Sequence, residues 1–426
     1  MQAESLALFT DQYELTMLSA ALADRTAERR CSFEVFSRRL PDSRRFGVVA
    51  GIGRLLPAIA EFRFSAEDLD RLQADRVIDA RCARFLAGYR FSGDIDGYAE
   101  GEPYFPQSPI LTVTASFAEA VVLETLVLSV LNHDSAIAAA AARMVIAAGD
   151  RPLIEMGSRR THESAAVAAA RAAYLVGFAA TSNLAAGARY RVPTAGTAAH
   201  AFTLVHDSER AAFSSQLAQL GTGTTLLVDT FDTRAGIATA IEVAGPALGA
   251  VRIDSGDLAV LARQAREQLD SLGARQTRIV VSGDLDEFSI AGLAAAPVDV
   301  YGVGTSVVVG SGVPTAGLVY KLVEVDGRPV AKRSEHKTSI GGRKQGYRRH
   351  RASGTATDEL IVRDATGFEP LPSDRLLSIP LVRKGKPVHE PDLATARQHH
   401  RAAVVALPWE ALKLSRGEPG LPVSTR

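Results

Sequence analysis

The chain has 426 residues, enough for two or three domains at roughly 150 residues each, and its 46% apolar and 23% charged residues describe a globular rather than a disordered protein. Lysine plus arginine number 48 and aspartate plus glutamate 48, so the formal net charge is zero, which excludes a generic nucleic-acid binder that neutralises phosphates by cationic excess. Only Cys31 and Cys82 are present, far apart, which excludes a disulfide framework and a structural zinc knuckle and leaves two idle thiols.

The amino-terminal run MQAESLALFTDQYELTML carries Glu4, Asp11 and Glu14 and no basic leader, which argues against a secretory signal. FEVFSRRLP and FGVVAGIG then read as strands with a turn between them. Asp94 to Tyr104 reads as a short strand pair around a Gly-Glu-Pro turn. Residues 1–116 are therefore expected to form an α+β domain. Phe117 to Ala148 reads as helix, with a corner between two helices at Asn132, His133, Asp134 and Ser135. Glu119, Glu124, His133, Asp134 and Arg143 interrupt it before the roughly 18 apolar residues of a membrane span, so no membrane association and a cytoplasmic location are expected.

Beyond this helix one unit recurs: a short apolar run, a polar or glycine-containing turn, then an amphipathic helix. The apolar runs are Leu153 to Met156, Gly177 to Ala180, Thr225 to Val228, Gly249 to Ile253, Arg278 to Val281 and Val298 to Tyr301. Strands alternating with helices predict a parallel sheet with crossover helices, either a doubly wound sheet or a barrel, and six units favour an irregular α/β barrel over residues 117–315. In the helix Asp257 to Leu272, Leu258, Leu261, Ala262, Ala265 and Leu269 share a face, Ser255 offers an N-cap and Gly273 suits the position after the end. Residues 316–426 change character. LVYKLVEVDGRPVAKRSEH reads as a hairpin about Asp326-Gly327, followed by a basic flap and a tail expected to pack on the amino-terminal domain. His399 and His400 read as surface residues.

In a parallel barrel, functional groups sit in the loops at the carboxyl ends of the strands. Here those loops hold Arg159, Arg160, His162, Ser182, Asp229, Asp232, Arg252, Asp254, Ser282 and Asp284. Any single Asp or Ser turn has even odds of being a helix cap, but six polar turns on one rim point to a site. Ser282-Gly283-Asp284 and Gly302-Val303-Gly304-Thr305-Ser306 let backbone N–H groups approach an anion, as in a phosphate cradle. Asp254 and Asp284 beside such a cradle imply sugar hydroxyls or Mg²⁺ as well. A phosphorylated ribose meets both conditions.

LFTDQYELTM, EMGSRRTH, TSNLAAG, VPTAGTAAHAF, LVDTFDT, VRIDSGDLA, SGDLDE, YGVGTS and KRSEHKTSIGGRKQGYR, in this order over about residues 6 to 350, resemble the successive motifs of the nicotinate phosphoribosyltransferase family. The resemblance implies an amino-terminal domain packed against an irregular α/β barrel, in a homodimer with a shared active site. It implies a reaction of nicotinate with 5-phosphoribosyl 1-pyrophosphate (PRPP) that gives nicotinate mononucleotide and pyrophosphate, in the biosynthesis of NAD. It further implies Mg²⁺, and coupling to ATP hydrolysis through a phosphohistidine.

Carried over residue by residue, the resemblance makes Tyr13 the aromatic that stacks on the pyridine ring from the partner subunit. Arg252, whose fork suits a carboxylate, goes to the nicotinate and phosphoribosyl site. Asp254 and Asp284 go near the ribose hydroxyls, with Asp229 and Ser282 in the same binding motifs. Gly283, Gly302, Gly304 and Thr305 form the phosphate loops, and Arg159 and Arg160 meet diphosphate or ATP phosphates. His200 becomes the histidine phosphorylated by ATP, and Thr197 lies beside its phosphate. Lys332, Lys337, Arg343 and Lys344 form the basic flap. No metal-ligand set is implied among these side chains. Ser182 stands where relatives that use the amide carry a carboxylate, which favours the acid. Met156 replaces the aromatic that closes the other face of the ring, and a polarisable sulfur can cover that face. Gly341 replaces a proline of the flap. Two other readings stay open: transfer to another pyridine such as nicotinamide, quinolinate or an analogue, and a catalytically silent nucleotide-binding homologue.

Overall fold

A computed structural model describes residues 6–41, 43–332, 340–363, 367–390 and 392–426. The chain divides into two compact units, residues 1–139 with 313–426, and residues 140–312.

The first unit is built on an all-antiparallel sheet of seven strands. Its spatial order is Arg328–Pro329, Leu318–Val325, Arg30–Ser37, Leu111–Ser116, Asp94–Tyr98, Ser378–Arg383 and Lys386–Pro387. Arg30–Ser37 is buried at every position but its first, and its inner face carries Phe33, stacked on Tyr320 with ring centroids 4.8 Å apart. That ring pair joins strands nearly 290 positions apart in sequence, because Leu318–Val325 pairs antiparallel with Arg30–Ser37. The Asp326-Gly327 hairpin forms as expected, with φ of 50° and 74° at the two turn residues, and leads into Arg328–Pro329. A second sheet orders Asp374–Leu376, Gln345–His350, Ala356–Val362 and Val423–Thr425.

Four expectations for this unit need correction. FGVVAGIG does not pair with FEVFSRRLP: its strand is only Gly47–Val48, which pairs with Pro103–Tyr104 in a separate two-stranded sheet. Asp94–Tyr98 is therefore not the hairpin partner of Pro103–Tyr104 but a member of the large sheet. The corner at Asn132 to Ser135 is absent, and one helix runs from Glu124 to Ala148 after a short helix Phe117–Val121. Its polar residues are satisfied sideways instead: Asp134 Oδ1 lies 2.6 Å from Arg54, and Asn132 Oδ1 accepts the Leu318 N–H at 2.8 Å. His400 is not a surface residue, and His399 is only partly exposed. His400 is buried with Nδ1 2.8 Å from the Gly101 carbonyl, and His399 Nε2 lies 2.7 Å from Glu102. Cys31 and Cys82 are both buried and free.

Each of the six apolar runs of the second unit leads into a strand of one parallel sheet, although Gly177 to Ala180 meets its strand, Ala180–Thr181, only at Ala180. The spatial order of the strands is Ala180–Thr181, Leu153–Glu155, Val300–Val303, Arg278–Gly283, Ala250–Ile253 and Thr225–Leu227. Read around the sheet, this order is cyclic in sequence: Val300–Val303 returns to pair with Leu153–Glu155, and the ring stays open between Ala180–Thr181 and Thr225–Leu227. The sheet is thus an α/β half-barrel, an irregular barrel with one side unpaired. The segment after Thr181 enters that opening, where the Thr181 N–H donates to the Pro193 carbonyl at 2.9 Å. Parallel strands place all their carboxyl ends on one rim, which is where the polar turns fall.

Candidate active site

Much of the rim's polarity serves helix starts. Asp232, Asp257 and Asp286 each accept a backbone N–H in the first turn of the following helix, from Ala235 at 2.7 Å, Val260 at 3.2 Å and Ser289 at 2.7 Å. Asp257 thereby takes the cap expected of Ser255, and the helix runs Leu258–Ser271, with Gly273 at φ 77° beyond it. Asn183 and His162 cap the helices Leu184–Tyr190 and Glu163–Val176 in the same way.

Asp229, Asp254 and Arg252 are used differently. Arg252 leaves its strand at the rim and spreads its guanidinium over three side chains and the Ala198 carbonyl, the last at 3.2 Å. Nε donates to Ser282 Oγ at 2.7 Å, one terminal nitrogen to Thr197 Oγ1 at 2.8 Å, and the other to Asp254 Oδ1 at 2.8 Å. Ser282 also donates to Asp254 Oδ1 at 2.5 Å, so arginine, serine and aspartate close a ring of hydrogen bonds. Asp229 Oδ2 accepts the Asp254 N–H at 2.8 Å and the Ser255 hydroxyl at 3.0 Å. Partial burial alone would raise the Asp254 carboxyl, but the bonds from Ser282 and Arg252 and the charges of Arg252 and His200 hold it below the usual carboxylate range. It is an anion at neutral pH. His200 Nδ1 lies 3.1 Å from Thr230 Oγ1 at the start of the helix His200–Leu204.

Of these residues Arg252, Asp254, Ser255 and Ser282 border a cleft of about 730 Å³ in the second unit, and His200 is not among those that line it. Of the residues expected at a site, Met156, Arg159, Arg160, Arg252, Asp254, Ser282, Gly283, Asp284, Gly302, Gly304 and Thr305 line it. Two of these positions favour glycine. A Cβ on Gly302 would come within 2.8 Å of the flexible tip of Met156, and at Gly283, whose φ is 133°, a Cβ would be strained and lie 3.1 Å from the Asp254 carbonyl. Thr197 and Asp229 do not line the cleft but hold Arg252 and Asp254 in place, and Ser182 is exposed with its N–H on the Glu155 carbonyl at 2.8 Å.

Tyr13 belongs to the first unit, on the helix Gln12–Asp24, 46% exposed. Lys332 and Arg343 are also there and exposed, Arg343 within 3.7 Å of Asp96. Lys344 corrects the flap expectation. It is buried, with Nζ 2.6 Å from Glu34, so its charge is committed to the fold rather than to a solvated flap. Lys337 lies outside the described residues.

Other neighbours of the cleft were not among the expected site residues. Ser255 and Gly256 line the cleft, and Glu155 is buried beneath it. The signal for Glu155 was present: a carboxylate inside an apolar strand is costly unless it is fully hydrogen-bonded.

A profile described as the nicotinate phosphoribosyltransferase (NAPRTase) N-terminal domain matches residues 8–132, and one described as the nicotinate phosphoribosyltransferase (NAPRTase) family matches residues 152–359. The nicotinate phosphoribosyltransferase pncB1 of Mycobacterium tuberculosis is 62% identical over 428 residues, covering 98% of this chain and 95% of the relative. The nicotinate phosphoribosyltransferase of Bacillus subtilis is 39% identical over 360 residues, covering 81% and 73%. Human nicotinic acid phosphoribosyltransferase superposes with a TM-score of 0.83 over 97% of both chains at 24% identity, a likeness of fold.

Proposed function

Because the chain belongs to the nicotinate phosphoribosyltransferase family, we propose that it joins nicotinate to PRPP, forming nicotinate mononucleotide and releasing pyrophosphate. The observation that carries this reading is the convergence of Arg252, Asp254, Ser282 and the glycine loops on one cleft.

The pyridine nitrogen attacks the anomeric carbon as the bond to the diphosphate oxygen breaks, and pyrophosphate leaves with the electron pair. The anomeric carbon gains positive character along this path, and negative charge builds on the leaving group. No covalent intermediate with the protein is needed; orientation and charge do the work. Arg159 and Arg160, exposed at one side of the cleft, face the diphosphate. The Gly283 and Gly304 turns offer backbone N–H groups to the 5-phosphate without a Cβ in the way. The ionised Asp254 accepts a ribose hydroxyl and adds negative charge near the developing cation. Arg252 pairs with the nicotinate carboxylate, Ser182 presents no charge to repel it, and Met156 covers the ring. Tyr13, with Phe9 and Met17 also exposed on the same segment, supplies the second ring face in a homodimer.

Among the described residues no group of three or more metal-ligating side chains converges, so the residues do not fit a protein-held metal cage. They do fit Mg²⁺ carried on the diphosphate, with Asp284 and Asp254 as the one or two carboxylates such an ion takes. When bound, it neutralises charge on the leaving group.

ATP coupling rests on His200. In the tautomer whose Nδ1–H donates to Thr230 Oγ1, Nε2 carries the lone pair that attacks the γ-phosphorus of ATP, ADP leaves, and phosphohistidine hydrolysis drives the transfer forward. A cytoplasmic place in the biosynthesis of NAD completes the proposal. The test is release of pyrophosphate and mononucleotide from PRPP with nicotinate and with nicotinamide, each with and without ATP. Turnover restricted to nicotinate and stimulated by ATP is expected; preference for nicotinamide, or no turnover, refutes it. His200→Ala is expected to abolish ATP hydrolysis and spare ATP-independent transfer.

A further inference from the structure

The strand Leu153–Glu155 ends in a carboxylate with no solvent exposure. Both of its oxygens are occupied. Oε1 accepts the Gly157 N–H at 2.5 Å and Oε2 accepts the Thr181 hydroxyl at 2.5 Å. A proton inventory fixes the direction of the second bond, because the Thr181 oxygen already accepts the Asn183 N–H at 3.0 Å and its one proton is left for Glu155. Asn183 in turn gives its side-chain amide to Ser158 Oγ at 3.0 Å, a second tie between the same two turns.

Thr181 also holds a third segment through its backbone. Its N–H donates to the Pro193 carbonyl and its carbonyl accepts the Ala195 N–H, both at 2.9 Å. Two residues further on, Thr197 accepts from Arg252. The Glu155 carboxylate and the Thr181 hydroxyl connect the turn bearing Arg159 and Arg160 with the turn bearing Ser182, and the Thr181 backbone ties the same residue to the segment leading through Thr197 to His200.

We propose that Glu155, acting through Thr181, is a positioning residue that fixes the spacing between the diphosphate-facing arginines and the base-facing residues of the cleft. The inference rests on the substrate assignment made above; Glu155 itself touches no substrate. Its identity is chemically constrained. Both partners are donors, so the amide of glutamine would turn an N–H toward one of them, and aspartate is a methylene too short to reach both.

Kinetic constants for each substrate, and calorimetric affinity for pyrophosphate, are to be measured on the parent protein and on Thr181→Val, Thr181→Ser and Glu155→Gln, with thermal melting as the control for folding. Valine keeps the volume of threonine and removes the hydroxyl; serine keeps the hydroxyl. Thr181→Val and Glu155→Gln are expected to raise KM for nicotinate and for PRPP together, and to weaken pyrophosphate binding, by about tenfold, with kcat/KM down ten- to a hundredfold. Thr181→Ser should stay within about twofold of the parent, since the donated bond survives. A loss confined to active fraction would lower kcat and leave KM and pyrophosphate affinity alone.

A folded Thr181→Val protein with parental KM values and affinity overturns the proposal, as does Thr181→Ser behaving like Thr181→Val. Should Glu155→Gln fail to fold, the two Thr181 variants decide. A parent that binds pyrophosphate but turns over no nicotinate refutes the substrate reading, and calorimetry then decides the positioning role alone. A parent that binds no pyrophosphate overturns both.

Discussion

Two charged clusters in this molecule use the same chemistry to opposite ends. In the first unit Arg348, 1% exposed, lies 2.6 Å from Glu102 and 2.5 Å from Glu359. Arg375 and His399 converge on the same Glu102 at 2.8 Å and 2.7 Å, and Tyr98 and Ser108 both donate to Glu359. In the second unit Arg252 and Asp254 pair at 2.8 Å, yet their side chains stay 12% and 28% exposed beside the cleft. The first cluster centres on Arg348, Glu102 and Glu359, all buried away from any cleft, with only its outer members Arg375 and His399 reaching solvent, and its charges are compensated by other parts of the fold. The second has a side open to solvent, where a ligand's carboxylate or hydroxyl can join the pattern. Short ion pairs alone therefore do not mark a site; a short pair on the wall of a cavity does.

The sharpest way to break this contrast is to remove one buried partner. Glu359→Gln leaves Arg348 short of a counter-charge in the core, and a loss of about 3–5 kcal/mol in unfolding free energy is expected from urea titration. Loss of less than about 1 kcal/mol would mean that the cluster is not closed in solution. Arg252→Ala should act on the other axis. A fall in kcat/KM of about a hundred- to a thousandfold, with a melting point close to the parent's, is expected if the open cluster works on substrate. A variant that melts early but turns over normally would reverse the assignment.

A third comparison uses pH. Burial holds His400 at about 4, so in the folded state it is neutral where the unfolded chain is protonated. The unfolded state then binds the extra proton between the ordinary histidine value of 6.5 and about 4, and stability falls as pH drops through that window. Glu102 extends the trend. Burial works to raise it, but the His399 bond and the charges of Arg348 and Arg375 outweigh that and set it at about 2, so its contribution is lost from the ordinary 4.5 downward. His400→Asn, which can still donate to Gly101, should lose most of the pH dependence between 6.5 and 4, an effect on the order of 2–3 kcal/mol by chemical denaturation at both ends of the range. An unchanged slope would place that titration elsewhere. The smallest effect is expected at the cleft floor. Gly302→Ala forces the tip of Met156 to move and should weaken nicotinate binding about tenfold, roughly 1.4 kcal/mol, while leaving PRPP binding nearly intact. Equal weakening of both would place Met156 away from the base.

The second unit was far more legible in sequence than the first. Its strands are short apolar runs buried on both faces, each followed by a turn and a helix, a local pattern that repeats six times. The first unit depends on pairings that local pattern does not encode. Arg30–Ser37 finds Leu318–Val325 across the whole barrel sequence, and Gly47–Val48 and Pro103–Tyr104 are strands two residues long. The polar run Asn132 to Ser135 looked like a break because its partners, Arg54 and Leu318, are remote. His399, His400 and Lys344 looked like surface for the same reason: their counterparts Glu102, Gly101 and Glu34 lie about 300 positions away. At the cleft, residue types and spacing pointed to Arg252, Asp254 and the glycine turns, but not to the division of labour in which Asp257 caps a helix and Asp254 holds a guanidinium. Glu155 stayed hidden because its meaning comes from Thr181, on a neighbouring strand.

A crystal structure of the protein with nicotinate mononucleotide bound tests the central claim most directly. The phosphate is predicted against the Gly283 and Gly304 turns, the ribose beside Asp254 and the pyridine carboxylate on Arg252. Product found away from these four residues, or bound with its carboxylate turned from Arg252, would contradict the account.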